Sequence, residues 1–259
     1  MTNILLCGIC GKMGHAVVRA ANEKDDINII AGYDIKQSPD FDIPVYTDFN
    51  TLESEGAVMK EIDAIVDFSH PSMTDSIIDF AVRNDVPSVI CTTGLSGKQI
   101  SKINAAAEKT AMFFSANMSL GVNLLIDLVQ RAAKVLEDNF DIEIIEKHHN
   151  QKLDAPSGTA IAIADAISDA VSYEPEYTYD RHSVRRKRGK TEIGISSLRG
   201  GTIVGEHSVI FAGCDEVIEL KHTATSKEVF AVGAIKAAAF IKGLKPGMYS
   251  MKDLIDSQK

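Results

Sequence analysis

In the first 119 residues, short apolar runs alternate with segments whose apolar residues recur at helical spacing. The runs have strand length and occupy residues 3–7, 27–32, 62–68, 86–91 and 111–115. Between two of them, Met73, Ile77 and Phe80 lie three and four positions apart, which is the spacing of an amphipathic helix. Strands separated by helices predict right-handed crossovers and a parallel sheet that is covered on both faces. The pattern therefore predicts an α/β, Rossmann-type parallel sheet.

The pattern changes near residue 119. Residues 120–136 have the spacing of a long amphipathic helix, and residues 141–146 alternate polar and apolar, as in a sheet with one solvated face. Further strand candidates, separated by glycine-containing turns, follow at residues 192–198, 202–211 and 216–222. We therefore predict a second, α+β domain with an open mixed sheet, followed by an alanine-rich helix at residues 227–242.

Composition narrows the class of protein. The chain has 259 residues, 45% of them apolar and 24% charged, which is typical of a globular protein and excludes disorder as its main state. Its net charge of −9 excludes nucleic-acid binding by bulk charge. It has no 18-residue apolar run, no recognisable secretion signal and only four cysteines. We therefore predict a cytoplasmic protein with no membrane or nucleic-acid partner and no disulfide framework.

Three glycines, Gly8, Gly11 and Gly14, lie between the first predicted strand and the first predicted helix. In dinucleotide-binding domains such glycines allow a tight turn, close approach of backbone N–H groups to the pyrophosphate, and close packing of helix on strand. Asp34 ends the second strand, 20 residues past Gly14, where a carboxylate can accept hydrogen bonds from ribose hydroxyls. The spacing predicts a nicotinamide dinucleotide site; the alternative is a glycine-rich turn that holds no ligand.

The residues leave the choice of nucleotide open. Asp34 would repel the 2′-phosphate of NADPH and so favours NADH, whereas Lys36 could offset that repulsion. Cys7 and Cys10 have the spacing of a redox pair, but a disulfide there would distort the glycine loop. We interpret these two cysteines as small buried residues.

The densest group of reactive side chains lies at residues 146–159. His148 and His149 are adjacent at a strand end, so they point to opposite faces and one of them is the candidate acid or base. Lys152 adds a cation, and the turn at residues 157–159 adds N–H and hydroxyl donors. This set fits a carboxylate substrate that exchanges a proton. The alternatives are a polar loop that caps a helix and a metal site; no metal is predicted, because no partner ligand has suitable spacing.

Residues 181–190 carry six basic side chains and no acidic one. Nucleic-acid binding is one interpretation, but the run has no interleaved aromatic residues and no recognised binding motif. The favoured alternatives are a solvated mobile loop and a positive rim that attracts an anionic substrate.

Several motifs, taken together and in order, resemble one known family. The glycine loop is followed by Asp67-Phe68-Ser69-His70-Pro71 and Thr92-Thr93-Gly94, and later by segments 115–123, 146–159, 199–207 and 230–234. With these motifs the chain is similar, over nearly its whole length, to the 4-hydroxy-tetrahydrodipicolinate reductases, also called dihydrodipicolinate reductases, of the diaminopimelate route to lysine.

The resemblance implies that NADH or NADPH reduces 4-hydroxy-tetrahydrodipicolinate to tetrahydrodipicolinate with loss of water. It makes His148 the general acid and Lys152 the second catalytic residue, and it places His149, Gly158 and Thr159 at the substrate. The cofactor contacts that it implies are Gly8, Ile9, Cys10, Gly11, Lys12, Met13, Asp34, Cys91, Thr92, Thr93, Ser115, Ala116, Asn117 and Met118.

The resemblance also implies a homotetramer and two domains. Residues 1–119 and 230–259 would form the dinucleotide-binding domain, and residues 120–229 the substrate-binding and tetramerisation domain. Two positions depart from many family members: Cys91 replaces a glycine, and Ile35 replaces an arginine, which leaves a preference for NADPH unsupported. Two rival hypotheses are another two-domain dehydrogenase, which would not need the histidine motif, and a regulator that binds NAD(P)H without turnover.

Overall fold

The computed structural model describes residues 1–258. The chain forms two compact units: Met1–Leu120 with Lys227–Lys259 make the first, and Gly121–Ser226 make the second. None of the helices within residues 1–258 is both long and apolar enough to cross a membrane.

The strands, in chain order, are β1 (Thr2–Cys7), β2 (Ile27–Tyr33), β3 (Val45–Tyr46), β4 (Ala64–Asp67), β5 (Ser88–Ile90), β6 (Ala111–Phe114), β7 (Asp141–His148), β8 (Glu176–Thr178), β9 (Glu192–Arg199), β10 (Gly205–Ala212), β11 (Val217–Ala224) and β12 (Gly247–Tyr249). The helices are α1 (Lys12–Asn22), α2 (Phe49–Ser54), α3 (Gly56–Glu61), α4 (Pro71–Asn84), α5 (Gly97–Ala107), α6 (Leu120–Leu136), α7 (Gly158–Ser168), α8 (Glu228–Ile241) and α9 (Met251–Asp256).

In the described part of the first unit, seven strands form one sheet in the order β12-β6-β5-β4-β1-β2-β3, with every pairing parallel. Ile4 and Leu6 belong to an apolar cluster that includes α1 and α8, whereas Leu5 and Cys7 belong to another that includes α4 and α5. Alternate residues of β1 thus enter two cores, one on each face of the sheet. The predicted parallel α/β sheet is confirmed.

Parallel register brings the carboxyl ends of these strands to one edge of the sheet. Cys7 pairs with Tyr33 of β2 and Asp67 of β4, Asp67 pairs with Ile90 of β5, and Ile90 pairs with Phe114 of β6. The residues that follow the strands are therefore neighbours despite their distance in sequence: Gly8, Asp34, Phe68, Cys91 and Ser115. In open α/β sheets this is the edge at which ligands bind.

The second unit has, among its described residues, a five-stranded mixed sheet in the order β11-β10-β7-β9-β8. β7 is parallel to β9 and antiparallel to β10. The buried residues of β7 are Ile142, Ile144, Glu146 and His148, so one face of the strand is apolar at its start and polar at its end. Ile142 and Ile144 pack with residues of α6 and α7. The combination of parallel and antiparallel pairings confirms the predicted open mixed sheet.

Three arginines of the basic run at residues 181–190 are held by carboxylates. Arg181 and Arg186 pair with Glu192, which is 1% exposed, and Arg188 lies 3.0 Å from Glu143. Arg188 also donates to three backbone carbonyls, those of Ile142, Gly189 and Glu192. These side chains fasten the run to the sheet of the second unit.

Candidate active site

The glycine loop of the first unit has a backbone that other residues would disturb. Gly8 has φ of +79°, and a Cβ there would lie 2.6 Å from the carbonyl oxygen of Phe68. A Cβ on Gly14 would overlap the carbonyl oxygen of Ile9, so α1 packs directly on the loop. α1 has no acidic residue in its first turn. Its N-terminus therefore offers N–H donors and a positive dipole to an anion.

Asp34 ties this loop to the end of β2. The side chain is buried, and its two oxygens accept from the backbone N–H groups of Cys10 (2.9 Å) and Ile35 (2.8 Å). Ile35 is 79% exposed, and the thiol of Cys10 faces the carbonyl of Lys36 at 3.6 Å. Each carboxylate oxygen has a second lone pair, so Asp34 keeps acceptor capacity for a ligand.

A cavity of about 300 Å³ lies in the first unit at the carboxyl ends of its strands. Six of its lining residues were predicted as cofactor contacts: Met13, Cys91, Thr92, Thr93, Ala116 and Met118. Phe68, Ser69 and Phe230 also line it and were not assigned a role from the sequence. The position of Phe68 and Ser69 directly after a central strand was the signal that could have found them.

Asp67 is a buried carboxylate that joins two loops of this cavity. It accepts from the N–H of Ser69 at 2.8 Å and from the hydroxyl of Thr92 at 2.9 Å. Burial raises its pKa above the ordinary value. A separate turn is fixed by Ser115, whose hydroxyl donates to the carbonyl of Asn117 at 2.8 Å. Ser115 and Asn117 were predicted as cofactor contacts, whereas Asp67 was given no role from the sequence.

In the second unit, His148 ends β7 and is 8% exposed. Its Nδ1 lies 2.6 Å from Oε2 of Glu146, two residues earlier on the same strand face. Its Nε2 faces Gly205, where an added Cβ would lie 3.1 Å away. The imidazole is thus held through Nδ1 and keeps Nε2 for proton exchange.

Glu146 is 0% exposed and is surrounded by donors. Two guanidinium nitrogens of Arg199 bind its two oxygens at 2.7 and 2.8 Å, and the N–H of Ser157 donates at 3.1 Å. Burial alone would raise the pKa of Glu146, but hydrogen bonds from Arg199 and His148 outweigh it and lower the pKa to about 2. Glu146 is therefore an anion at neutral pH, and Nδ1 of His148 carries the proton that lies between them.

Neither Glu146 nor Arg199 was assigned a role from the sequence. For Glu146 the signal was available, since residues two apart on a strand share a face. Arg199 is the register partner of His148 across the β7–β9 pairing, which the sequence pattern does not reveal.

Lys152 follows β7 in the same loop as His149. Its Nζ lies 2.8 Å from Oδ1 of Asp154, and the hydrogen bond from Lys152 lowers the pKa of Asp154. Arg199 also donates to the backbone carbonyl of Asp154, at 2.6 Å. The present partner of Lys152 is therefore a carboxylate, which is the same chemical group that a carboxylate substrate would offer to it.

Ser157 caps α7, with its hydroxyl accepting from the N–H of Ala160 at 3.2 Å. The same hydroxyl lies 3.0 Å from Nε2 of His207. Burial, and then the charge on His148, lower the pKa of His207 to about 4, so His207 is neutral at pH 7. Gly158 and Thr159 form the first turn of α7, next to this cap. The sequence pattern did not predict a role for His207.

Within residues 1–258, no three histidine, cysteine, aspartate or glutamate side chains gather as a metal site.

The sequence matches known proteins over almost its whole length. Residues 2–118 match the family described as dihydrodipicolinate reductase, N-terminus, and residues 121–255 match dihydrodipicolinate reductase, C-terminus. The chain belongs to the dihydrodipicolinate reductase family. The resemblance predicted from the motifs is thereby confirmed.

The names of similar proteins agree with this family assignment. The 4-hydroxy-tetrahydrodipicolinate reductase of Caldanaerobacter subterraneus subsp. tengcongensis is 48% identical over 255 residues, covering 98% of each chain. That of Clostridium tetani is 47% identical over 257 residues, covering 99% of this chain and 98% of the relative. A solved structure, a dipicolinate-bound dihydrodipicolinate reductase from Paenisporosarcina sp. TG-14, matches with a TM-score of 0.81 at 23% identity. It covers 98% of this chain and 99% of that one, and supports the fold.

As a member of the dihydrodipicolinate reductase family, the chain is an oxidoreductase that uses a nicotinamide nucleotide. The residues present fit such a cofactor. The loop at Gly8 and Gly14 has no room for side chains, α1 presents an N-terminus without acids, and Asp34 keeps free acceptor capacity.

Proposed function

We propose that this chain reduces 4-hydroxy-tetrahydrodipicolinate to tetrahydrodipicolinate, with loss of water, in the diaminopimelate route to lysine. The relatives from Caldanaerobacter and Clostridium tetani are named for this substrate and cover 98% and 99% of the chain. The observation that carries the proposal is the geometry of His148, whose Nδ1 is held 2.6 Å from a buried carboxylate. That arrangement leaves Nε2 to exchange a proton.

The proton transfer follows from this geometry. A reduced nicotinamide nucleotide, held by the first unit, would supply a hydride to the conjugated C=C–C=N system of the dehydrated substrate and would be left as the oxidised nucleotide. Nε2 of His148 gives a proton to the neighbouring ring carbon, while Nδ1–H continues to donate to Glu146. The imidazole of His148 becomes neutral when its proton has passed to the carbon of the substrate ring. The substrate therefore takes up one hydride and one proton and has lost one water molecule.

The substrate carboxylates need positive charge and N–H donors. We propose that Lys152 binds and polarises the substrate by exchanging Asp154 for a substrate carboxylate. His149 and the first-turn residues Gly158 and Thr159 complete the binding site, because a helix N-terminus favours an anion. The Paenisporosarcina relative was solved with dipicolinate, a dicarboxylate, which supports this class of ligand.

We assign the cofactor to the carboxyl edge of the first unit. Asp34 accepts hydrogen bonds from ribose hydroxyls with the lone pairs that Cys10 and Ile35 leave free. The remaining proposed contacts are Gly8, Ile9, Cys10, Gly11, Lys12, Met13, Cys91, Thr92, Thr93, Ser115, Ala116, Asn117 and Met118. NADH fits the carboxylate of Asp34, and Lys36 is the cation that a 2′-phosphate of NADPH would use.

We propose residues 1–119 with 230–259 as the dinucleotide-binding domain and residues 120–229 as the substrate-binding and tetramerisation domain of a cytoplasmic enzyme. The matched family segments divide between residues 118 and 121, and the compact units divide at residues 120 and 226. The exposed apolar side chains of Leu198 and Val217 lie on the face of the second sheet that is opposite its helices, which supports association between copies through that sheet.

The proposal is tested by assaying the purified chain with aspartate semialdehyde, pyruvate and the preceding synthase. The loss of reduced nucleotide is followed with NADH and with NADPH, and kcat/KM is compared on one substrate preparation. We expect oxidation that depends on the synthase product. No oxidation with either nucleotide would overturn the assignment and favour another dehydrogenase or a nucleotide-binding regulator.

A further inference from the structure

We infer that Glu146 and Arg199 are positioning residues that hold His148 in one tautomer and set the pH range over which its Nε2 carries a proton. This inference rests on the proposed role of His148 as the proton donor. Glu146 contacts the imidazole of His148, and Arg199 contacts the carboxylate of Glu146. Both residues would therefore act through His148 rather than on the substrate directly.

Strand geometry fixes the distance between Glu146 and His148. Both side chains leave β7 on the same face, because side chains two residues apart on a strand share a face. β7 pairs on both sides over this stretch, with Ser197 of β9 and His207 of β10 opposite Glu146. The 2.6 Å hydrogen bond from Nδ1 to Oε2 therefore joins two residues whose backbones cannot easily separate.

Arg199 holds the carboxylate in place. Its two terminal nitrogens bind both oxygens of Glu146, which is the bidentate geometry that orients a carboxylate most strictly. The same guanidinium donates to the carbonyls of Leu198 and Asp154, so it is itself anchored. An isolated buried carboxylate would take up a proton, and then it could not accept from Nδ1–H with full charge. Arg199 and Nδ1–H of His148 together therefore keep Glu146 ionised.

The charges that face His148 come from several elements. Glu146 lies on its own strand, Arg199 on β9, and neutral His207 on β10, with ring centroids 5.3 Å apart. Lys152, in the loop after β7, contributes positive charge, and its partner Asp154 contributes negative charge. His222 of β11 lies opposite His207, and the cap residue of α7, Ser157, is uncharged.

Among these groups, Glu146 is the anion in direct contact with the ring. Loss of the Glu146 charge leaves Arg199 without its partner and makes the surroundings of His148 more positive. Loss of the Arg199 charge leaves Glu146 with the protonated imidazole as its charged partner and makes the surroundings of His148 more negative. The two changes should therefore act in opposite directions on protonation of the imidazole. A merely structural role for the pair would weaken the fold in both cases without reversing a pH effect.

The test uses the full-length variants Glu146→Gln and Arg199→Gln. We expect the alkaline fall of kcat to move to lower pH by about one unit in Glu146→Gln and to higher pH in Arg199→Gln. The KM for reduced nucleotide should stay within about twofold. Nitrogen-15 NMR of labelled histidine should show Nδ1–H as the neutral tautomer of His148 in the wild type, and a mixture in Glu146→Gln.

The matched control is Glu206→Gln. Glu206 lies on the neighbouring strand β10 but pairs with Lys147 and Lys221 on the opposite face of the sheet. Glu206→Gln removes the same charge as Glu146→Gln, and it should leave both the pH profile of kcat and the tautomer of His148 unchanged.

His148→Gln separates the inference from the proposed function. If His148→Gln keeps a wild-type kcat, His148 is not the proton donor and the proposed mechanism fails. If His148→Gln loses activity but the two charge variants keep the wild-type pH profile, the positioning role is overturned. If Glu146→Gln fails to fold, the pH profile of Arg199→Gln and the tautomer of His148 in the wild type still test the positioning role. A neutral His148 that carries its proton on Nε2 in the wild type would contradict the inference.

Discussion

The two units form their sites from different parts of the chain. In the first, backbone dominates: Gly8 and Gly14 leave room for the loop, and Asp34 and Asp67 bind backbone N–H groups. In the second, charged side chains dominate, with a buried carboxylate between an arginine and a histidine. The geometry of the first site thus depends on the turns of the backbone. The geometry of the second depends on which side chains the register of neighbouring strands brings together.

This difference predicts different sensitivities. The first site should tolerate a change of charge better than an added methyl group, because its geometry depends on closely packed backbone. The second should respond most to the loss of a charge or a proton, because its groups compensate one another in a buried setting.

The largest expected effect is on catalysis in the second unit. His148→Ala and Lys152→Ala should each lower kcat by about 10²- to 10⁴-fold, as loss of a proton donor or of substrate polarisation does. The Kd for NADH, measured by fluorescence titration, should stay near wild type. Lys147→Ala is the control, since Lys147 pairs with Glu206 on the other face of β7. Normal turnover in both variants would contradict the catalytic roles of His148 and Lys152 and favour another kind of two-domain dehydrogenase.

The next effect tests the backbone of the first unit. Gly14→Ala forces a methyl group against the carbonyl of Ile9 and should lower the free energy of unfolding by at least about 1–3 kcal/mol, while also weakening NADH binding. Gly97→Ala is the matched control, because a Cβ there meets nothing within 4 Å. Equal thermal midpoints for the two variants would contradict the packing argument.

Local signals in the sequence describe the backbone geometry of the first candidate site more completely than the side-chain partners of the second. Glycines and an acid at strand ends are local signals, so Gly8, Gly14 and Asp34 could be found from spacing alone. The partners of His148 required knowledge of which strands pair: Arg199 is its neighbour only through the β7–β9 register. Hydrophobic patterns indicate that a strand exists but not the strand beside it.

Element length decided what the sequence revealed about the fold. The long strands and helices of both units follow clear periodicities. The strands β3, β8 and β12, of two or three residues each, are too short to show any period, and they were not predicted. The strand expected at residues 202–211 begins instead at Gly205, because residues 201 and 202 form a turn in which Gly201 has φ of +49°.

Acid should destabilise the second unit through His207. Its pKa is lowered to about 4 in the folded chain, against 6.5 for an ordinary histidine, so between these values the unfolded chain binds a proton that the folded chain does not. The stability contributed by neutral His207 is complete above about pH 6.5 and is lost as the pH falls to about 4, amounting to roughly 3 kcal/mol.

Urea unfolding at pH 7.0, 5.5 and 4.5 measures this loss. His207→Gln should flatten the slope between pH 6.5 and 4, whereas His182→Gln, which changes an exposed histidine, should keep it. Glu146 contributes in a lower window, because its pKa is lowered to about 2 and its stability is lost only below about pH 4.5. An unchanged slope in His207→Gln would show that His207 is not the group that titrates.

A smaller effect is expected on nucleotide binding. Asp34→Ala should raise the Kd for NADH about tenfold, because it removes an acceptor for ribose hydroxyls. NADPH should be affected less, since its 2′-phosphate is repelled by the carboxylate that is removed. Asp40→Ala, in the same loop region, is the control. Equal losses for both nucleotides would refute the ribose-hydroxyl role of Asp34.

The smallest effect separates two interpretations of the basic run. Arg188→Ala removes the contact with Glu143 and the hydrogen bonds to three backbone carbonyls, and should cost about 1–2 kcal/mol of stability without changing kcat/KM. Arg185→Ala, at an exposed position, should cost almost none. A positive rim that attracts substrate predicts instead that both variants lower kcat/KM, and that the loss disappears at high salt. Stability and kcat/KM measured at low and high salt therefore decide whether these arginines act on the fold or on the substrate.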